Sequence, residues 1–151
     1  MIRKATVKDV KEIQDLIGIY ARKGEMLPRS LSELYDNLRD FFVCVDKNKD
    51  YIVGVCAMHI CWENLAEVRS LIVKEELRGK GVGRKLVEVS ISESRTLGIC
   101  DIFVLTYQIE FFKKLGFIVV DKSILPQKIW ADCLKCMKFP DCDETAMMFN
   151  P

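Results

Sequence analysis

The sequence predicts an α/β (α+β) fold, a mixed and mostly antiparallel sheet with helices on both faces. Three observations predict it. Apolar runs of strand length interleave with segments of helical spacing. Three β-rich runs, "FFVCVD", "YIVGVCAMHICW" and "AEVRSLIV", follow one another with only short polar links. Later strand-like segments alternate with helical ones, which permits parallel pairing as well.

Taken in order, "IRKAT" alternates as a strand, and Thr6 with Asp9 marks a helix start before Val10, Ile13, Ile17 and Tyr20, which recur at helical spacing. After Gly24 and Pro28, Ser30 and Glu33 form a capping box for a short helix carrying Leu31, Leu34 and Leu38. The polar "KNKD" joins the first two β-rich runs as a hairpin, and Asn64 links to the third. From Val82 to Leu97 the pattern is helical, with Lys85, Glu88, Ser92 and Arg95 on a polar stripe and Gly98 as C-cap. "DIFVLTY" reads as a buried strand and "IEFFKKLGF" as a short helix stopped at Gly116. "FIVV" then reads as a strand, and "ETAMMF" as a late one.

The chain has 151 residues, half of them hydrophobic, which suits a single domain over 1–151. Lys plus Arg number 23 and Asp plus Glu 22, so the net charge of +1 offers no bulk field for nucleic acid or an anionic membrane. No apolar run approaches the roughly 20 residues of a bilayer span, and the expected location is cytoplasmic. Seven cysteines, several within apolar runs (Cys44, Cys56, Cys100), read mostly as reduced core residues.

Residues 78–83, "RGKGVG", lie between a predicted strand and a predicted helix. A dinucleotide fingerprint needs a further glycine where Arg84 or Leu86 stands, and a Walker A loop needs Ser or Thr after Lys80. Both readings fail. Exposed amides, a helix N-terminus and the nearby Arg78, Lys80, Arg84 and Lys85 suit a diphosphate. A flexible basic turn is the other reading.

Arg78-x-x-Gly81-x-Gly83 after "VRSLIV", with "FFKKLGF" about thirty residues on, resembles the GNAT-fold N-acetyltransferases over residues 2 to about 120. The remainder, 121–151, is a C-terminal segment with a Cys-rich stretch and the late strand. The resemblance implies the GNAT acyl-CoA N-acyltransferase fold and acetyl-CoA as co-substrate. The pyrophosphate would lie on residues Arg78, Gly79, Lys80, Gly81, Val82, Gly83 and Arg84, and the pantetheine on the backbone of Leu71, Ile72 and Val73. "MLPRS", "LAEVRSLIV" and "VLTY" are similar to the acetyltransferase domain of bacterial N-acetylglutamate synthases, here as a stand-alone short form. That similarity implies L-glutamate or a similar amine as acceptor, with Arg29 on a carboxylate. It further implies Glu67 as base and substrate contact, with Ser70 nearby.

Phe112 stands where many of these enzymes carry a tyrosine that protonates the leaving thiolate. Ser70, Thr106 and Tyr107 are the hydroxyls left to that role, with Thr106 also a substrate contact. Cys61 could serve as a nucleophile with His59 two residues away, but a satisfied structural histidine is the simpler reading. The tail holds Cys133, Cys136 and Cys142 with Asp141 and Asp143 beside them, three thiols where a closed zinc site needs four ligands. Metal there is not required. "LPQKIW" suits a flap over the acceptor, and Lys128, Lys135 or Lys138 could meet a second carboxylate. Alternative functions are a GNAT enzyme for a protein N-terminus, a lysine or another small amine, and a non-catalytic acetyl-CoA sensor. Late strands in this fold permit homodimers.

Overall fold

The computed structural model describes residues 1–126 and 144–149. The elements follow the expected order: β1 (Ile2–Lys4), α1 (Val10–Arg22), α2 (Leu31–Asp36), β2 (Phe41–Asp46), β3 (Tyr51–Trp62), β4 (Leu65–Val73), α3 (Val82–Thr96), β5 (Asp101–Thr106), α4 (Ile109–Lys114), β6 (Ile118–Val119) and β7 (Thr145–Phe149). The strands order as β1-β2-β3-β4-β5-β7-β6. Pairing is antiparallel for β1–β2, β2–β3, β5–β7 and β6–β7, and parallel for β4–β5. The mixed, mostly antiparallel sheet is therefore present.

The described chain divides into two compact units, one of Met1–His59 with Val68–Glu93, the other of Ile60–Glu67 with the described residues from Ser94 onward. In the first unit, Val10, Ile13, Ile17 and Tyr20 of α1 are buried as their spacing predicts, together with Leu34, Val43, Val55, Ala57 and Ile72. Gly54 faces the other way: a Cβ there would lie 3.0 Å from Leu86 Cδ1 and 3.1 Å from Val82 Cγ1. Cys56, on that same face by strand alternation, has its Sγ 3.5 Å from Ser90 Oγ. So α1 and α2 cover one face of β2–β3 and α3 covers the opposite one.

Local chemistry sets the ends of α1 and α2. Ser30 Oγ accepts from the Glu33 amide at 3.1 Å, and the Glu33 carboxylate accepts from the Ser30 amide at 3.4 Å, the expected capping box. Thr6 caps a 3-10 turn, Val7–Asp9, that leads into α1. Asp9 is 7% exposed. Its carboxylate accepts from Arg3 through two bonds of 2.7 and 3.0 Å, and from the Thr6 amide at 2.7 Å.

The Arg3 guanidinium, opposed by partial burial and helped by the Thr6 amide and hydroxyl, holds the Asp9 carboxyl below the usual carboxylate range. A depressed folded value means stabilisation present above the unfolded value, near 4, and lost as pH falls through the folded one. Asp9→Asn should cost about 1–2 kcal/mol at neutral pH, toward the low end for hydrogen bonds to a charged group because the Arg3 side chain is partly exposed. Thermal unfolding across pH checks this: the deficit should shrink toward acid, and an equal deficit at both ends would refute the account.

In the second unit, Cys61, Phe103, Leu125 and Ala146 are buried together. The late strand β7 lies between β5 and β6, pairing Phe103 with Met148 and Ile118 with Met148 on its two edges. Two expectations need correction. Of "FIVV", only Ile118–Val119 forms a strand and both are exposed, while Phe117 is buried against the rings of Phe112 and Phe149. Cys100, taken for a core residue, is exposed, because it follows the end of α3 where Ile99 instead turns inward. The tail residues Cys133, Cys136, Cys142, Asp141, Asp143, Lys128, Lys135 and Lys138 lie outside the described residues, as does "LPQKIW" beyond Pro126.

Candidate active site

The loop between β4 and α3 is built by backbone geometry. After a 3-10 turn, Glu75–Leu77, Gly79 and Gly81 take φ of +81° and +84°. L-residues avoid that region, so glycine is required at both. A Cβ at either position would meet no protein atom within 4 Å, so no neighbouring side chain dictates these glycines. The Lys85 amide donates to the Gly81 carbonyl at 3.1 Å, the first bond of a helix that runs to Thr96. The amides just before it have no carbonyl one turn back to reach, and they sit at the positive end of the helix dipole.

Side chains of the loop divide in role. Arg78 turns back into the protein: its Nε donates to the Val73 carbonyl at 3.1 Å and its Nη2 to Tyr20 Oη at 3.2 Å. Arg84 pairs with Glu88 across one helical turn at 3.6 Å, both exposed. Lys80 is exposed at the tip of the loop. The anion-binding capacity is therefore mainly that of backbone and dipole, with Lys80 as an exposed cation beside it.

The strand feeding the loop is kinked. Ser70 takes φ of +56°, a left-handed conformation uncommon for a non-glycine residue and here found inside a strand. Burial alternates through Ala66 and Val68, breaks over Arg69–Leu71, and resumes at Ile72. The parallel register of β4 with β5 runs over Leu65–Glu67, with Glu67 opposite Phe103. Glu67 is thus the last residue in that register, and Ser70, Leu71 and Val73 follow it half-buried.

Arg29 precedes the Ser30 cap, and its side chain is only 12% exposed. Its Nη1 donates to Glu33 Oε2 at a long 3.4 Å, and its carbonyl accepts from Gln14 Nε2 at 3.4 Å. It lines a groove of about 440 Å³ with Gln14, Asp15, Gly18, Ile19, Arg22 and Pro28. Two guanidiniums therefore border one groove. Arg22 was not singled out from sequence, where it read only as a charge late in a helix; the turn that brings residue 29 back beside α1 supplies the pairing.

Among the remaining candidates, Thr106 is 7% exposed and its Oγ1 accepts from the Gln108 amide at 2.8 Å. Tyr107 is 39% exposed. Phe112 is 2% exposed and packs edge-on against Phe111 and Phe117, so this position is a core ring with no proton to give. His59 Nδ1 lies 2.6 Å from Asp40 Oδ2, the structural partner expected of it. Burial pushes the Cys56 thiol up to about 12, partly offset by Ser90, which leaves it unreactive. Among the described residues, no group of three or more His, Cys, Asp or Glu could hold a metal ion. No helix among them is long and apolar enough to cross a membrane.

A kinked strand, a two-glycine turn and a long helix N-terminus on a mixed sheet make a backbone site suited to an anionic ligand. The chain belongs to the acetyltransferase (GNAT) family, whose model matches residues 8–117. It is 42% identical over 147 residues to an uncharacterised N-acetyltransferase of Chlorobaculum tepidum, covering 97% of this chain and 94% of that one. To an amino-acid acetyltransferase of Mycobacterium tuberculosis it is 32% identical over 131 residues, covering 86% and 75%. Among solved structures, Rv2747 from Mycobacterium tuberculosis, in complex with CoA and NLQ, superposes with a TM-score of 0.84 at 26% identity, covering 100% and 99%. The N-acetylglutamate synthase of Neisseria gonorrhoeae, complexed with coenzyme A and N-acetyl-glutamate, gives 0.88 at 23%, covering 99% of this chain and 34% of that one. At that identity the likeness speaks for the fold.

Proposed function

We propose that this protein, as one N-acetyltransferase domain, transfers the acetyl group of acetyl-CoA to the α-amine of L-glutamate, a cytoplasmic step of arginine biosynthesis. The observation that carries the acceptor is Arg29. It is a largely buried guanidinium on a groove that Arg22 also lines, and its bond to the half-exposed Glu33 carboxylate is a long one. A bidentate carboxylate would satisfy it better than Glu33 does. The names of the amino-acid acetyltransferase relatives point the same way.

In this reading the diphosphate of acetyl-CoA lies on the amides of residues 78–84, and the pantetheine runs along the backbone of Leu71, Ile72 and Val73. Free ammonium is not nucleophilic, so Glu67, directly or through water, removes its proton. The amine then attacks the thioester carbonyl, and the Leu71 amide stabilises the oxyanion. The C–N bond forms, the nitrogen gives up its second proton to solvent, and as the C–S bond breaks the thiolate takes a proton from solvent or from a hydroxyl, Ser70, Thr106 or Tyr107. The kink at Ser70 supports this assignment, because it redirects the strand immediately before the residues assigned to the pantetheine.

The test follows release of CoA thiol with each common amino acid in turn. Turnover with glutamate is the expected result; turnover only with other amines, or acetyl-CoA binding with no thiol released, would remove the glutamate reading. Glu67→Gln should lower kcat by about a hundred-fold at neutral pH. The deficit should narrow at alkaline pH as the free amine becomes abundant. A pH–rate profile checks this, and one identical to that of the unaltered enzyme would take Glu67 out of the mechanism.

A further inference from the structure

We propose that Tyr20 is a positioning residue for the donor loop, acting through Arg78. This rests on the reading that residues 78–84 receive the diphosphate of acetyl-CoA. The two glycines that shape the loop have open space where their side chains would be. What holds the turn must therefore come from its flanks. On the downstream side, α3 is seated by Val82 and Leu86 against Gly54.

On the upstream side the anchor is Arg78. One edge of its guanidinium donates to the carbonyl of Val73, the last residue of β4, at 3.1 Å, and another donates to Tyr20 Oη at 3.2 Å. The guanidinium carbon also lies 5.6 Å from the centre of the Tyr20 ring. Tyr20 is 7% exposed and belongs to the core of its unit, so the hydroxyl is a fixed point rather than a swinging one. One helical turn on, Lys23 lies over the same ring at 5.0 Å and 3.9 Å from Glu75, which opens the same turn.

Tyr20 of α1 and Lys23 at its C-cap thus contact both ends of the segment from Glu75 to Arg78, and Gly79 begins directly after it. An arginine committed to this brace is not available to neutralise phosphate; its contribution is to hold the backbone amides in the geometry the ligand needs. Removing the tyrosine hydroxyl should loosen the loop before the ligand arrives and leave the core ring in place.

The experiment measures the dissociation constant of acetyl-CoA by titration calorimetry, together with turnover at saturating donor and thermal unfolding. Tyr20→Phe should weaken acetyl-CoA binding about five-fold, as loss of one charge-assisted hydrogen bond offset by solvent would. The unfolding midpoint and the turnover at saturation should stay as they were. Arg78→Gln, which also loses the bond to the Val73 carbonyl, should weaken acetyl-CoA binding at least as much, and the double variant should bind no worse than Arg78→Gln alone, because the two side chains act as one unit.

Unchanged binding in Tyr20→Phe, or additive losses in the double variant, would overturn the proposal. Gly81→Val separates the two levels. If that variant binds acetyl-CoA normally, the loop reading itself fails and this proposal with it. If it binds weakly while Tyr20→Phe binds normally, only the role of Tyr20 fails.

Discussion

Gly81→Val is expected to raise the KM for acetyl-CoA by about a hundred-fold, the loss of roughly two charge-assisted hydrogen bonds, while leaving the protein folded. The argument is conformational. Gly81 takes φ of +84°, and a β-branched residue cannot hold that value without strain. The strain is relieved by rotating the backbone, which turns the loop amides away from the position a diphosphate would occupy. Because a Cβ at this site would meet no protein atom within 4 Å, the substitution does not disturb the core. Stability should therefore fall by only about 1–2 kcal/mol, the cost of a left-handed L-residue. Steady-state kinetics with acetyl-CoA varied at saturating acceptor checks the prediction. A donor KM like that of the unaltered enzyme would mean that the diphosphate binds elsewhere.

Arg29→Ala is expected to raise the KM for glutamate about thirty-fold or more, the penalty for leaving one partner of a desolvated charge pair alone. The KM for acetyl-CoA should change little. Stability is the control, because the ion pair of the guanidinium is an i,i+4 contact with a half-exposed glutamate at 3.4 Å. Such pairs contribute about 0.3–0.5 kcal/mol, so the unfolding midpoint should hardly move. Arg29→Lys should recover only part of the affinity, since an ammonium cannot present the planar two-donor edge. Equal rises in both KM values would show that Arg29 supports the fold or the donor, and would dismiss it as the carboxylate ligand.

Much of the fold was legible because it is written in local periods. The spacing of Val10, Ile13, Ile17 and Tyr20 buries one stripe of α1, and all four are in the core. Ser30 with Glu33 states its own helix start, and "KNKD" states its hairpin, where Asp46 Oδ1 accepts from the Asn48 amide at 2.8 Å. The glycine loop was legible for a similar reason: only glycine suits its two positive-φ positions, so the backbone requirement is visible in the residue type. Even the missing tyrosine could be read, and the burial of Phe112 turns that absence into a packing role.

Partners distant in sequence were not legible. Nothing near residue 20 announces Arg78, and on sequence Tyr20 is one more apolar position on a helix. Arg22 becomes a neighbour of Arg29 only when the chain doubles back after α1. Ser70 carries no mark of its left-handed backbone, since serine has no need of that conformation and adopts it under tertiary constraint.

The sequence by itself determined the kind and order of the elements and the glycine turn, because helix period, strand alternation, capping and positive φ are each decided within a few residues. Tertiary structure alone decided that β7, the last strand in the chain, inserts between β5 and β6, that Cys100 faces out, and that the Arg78 side chain is a brace. Those outcomes depend on which surfaces meet across long separations, where many pairings are similar in local preference and only the packed whole selects one.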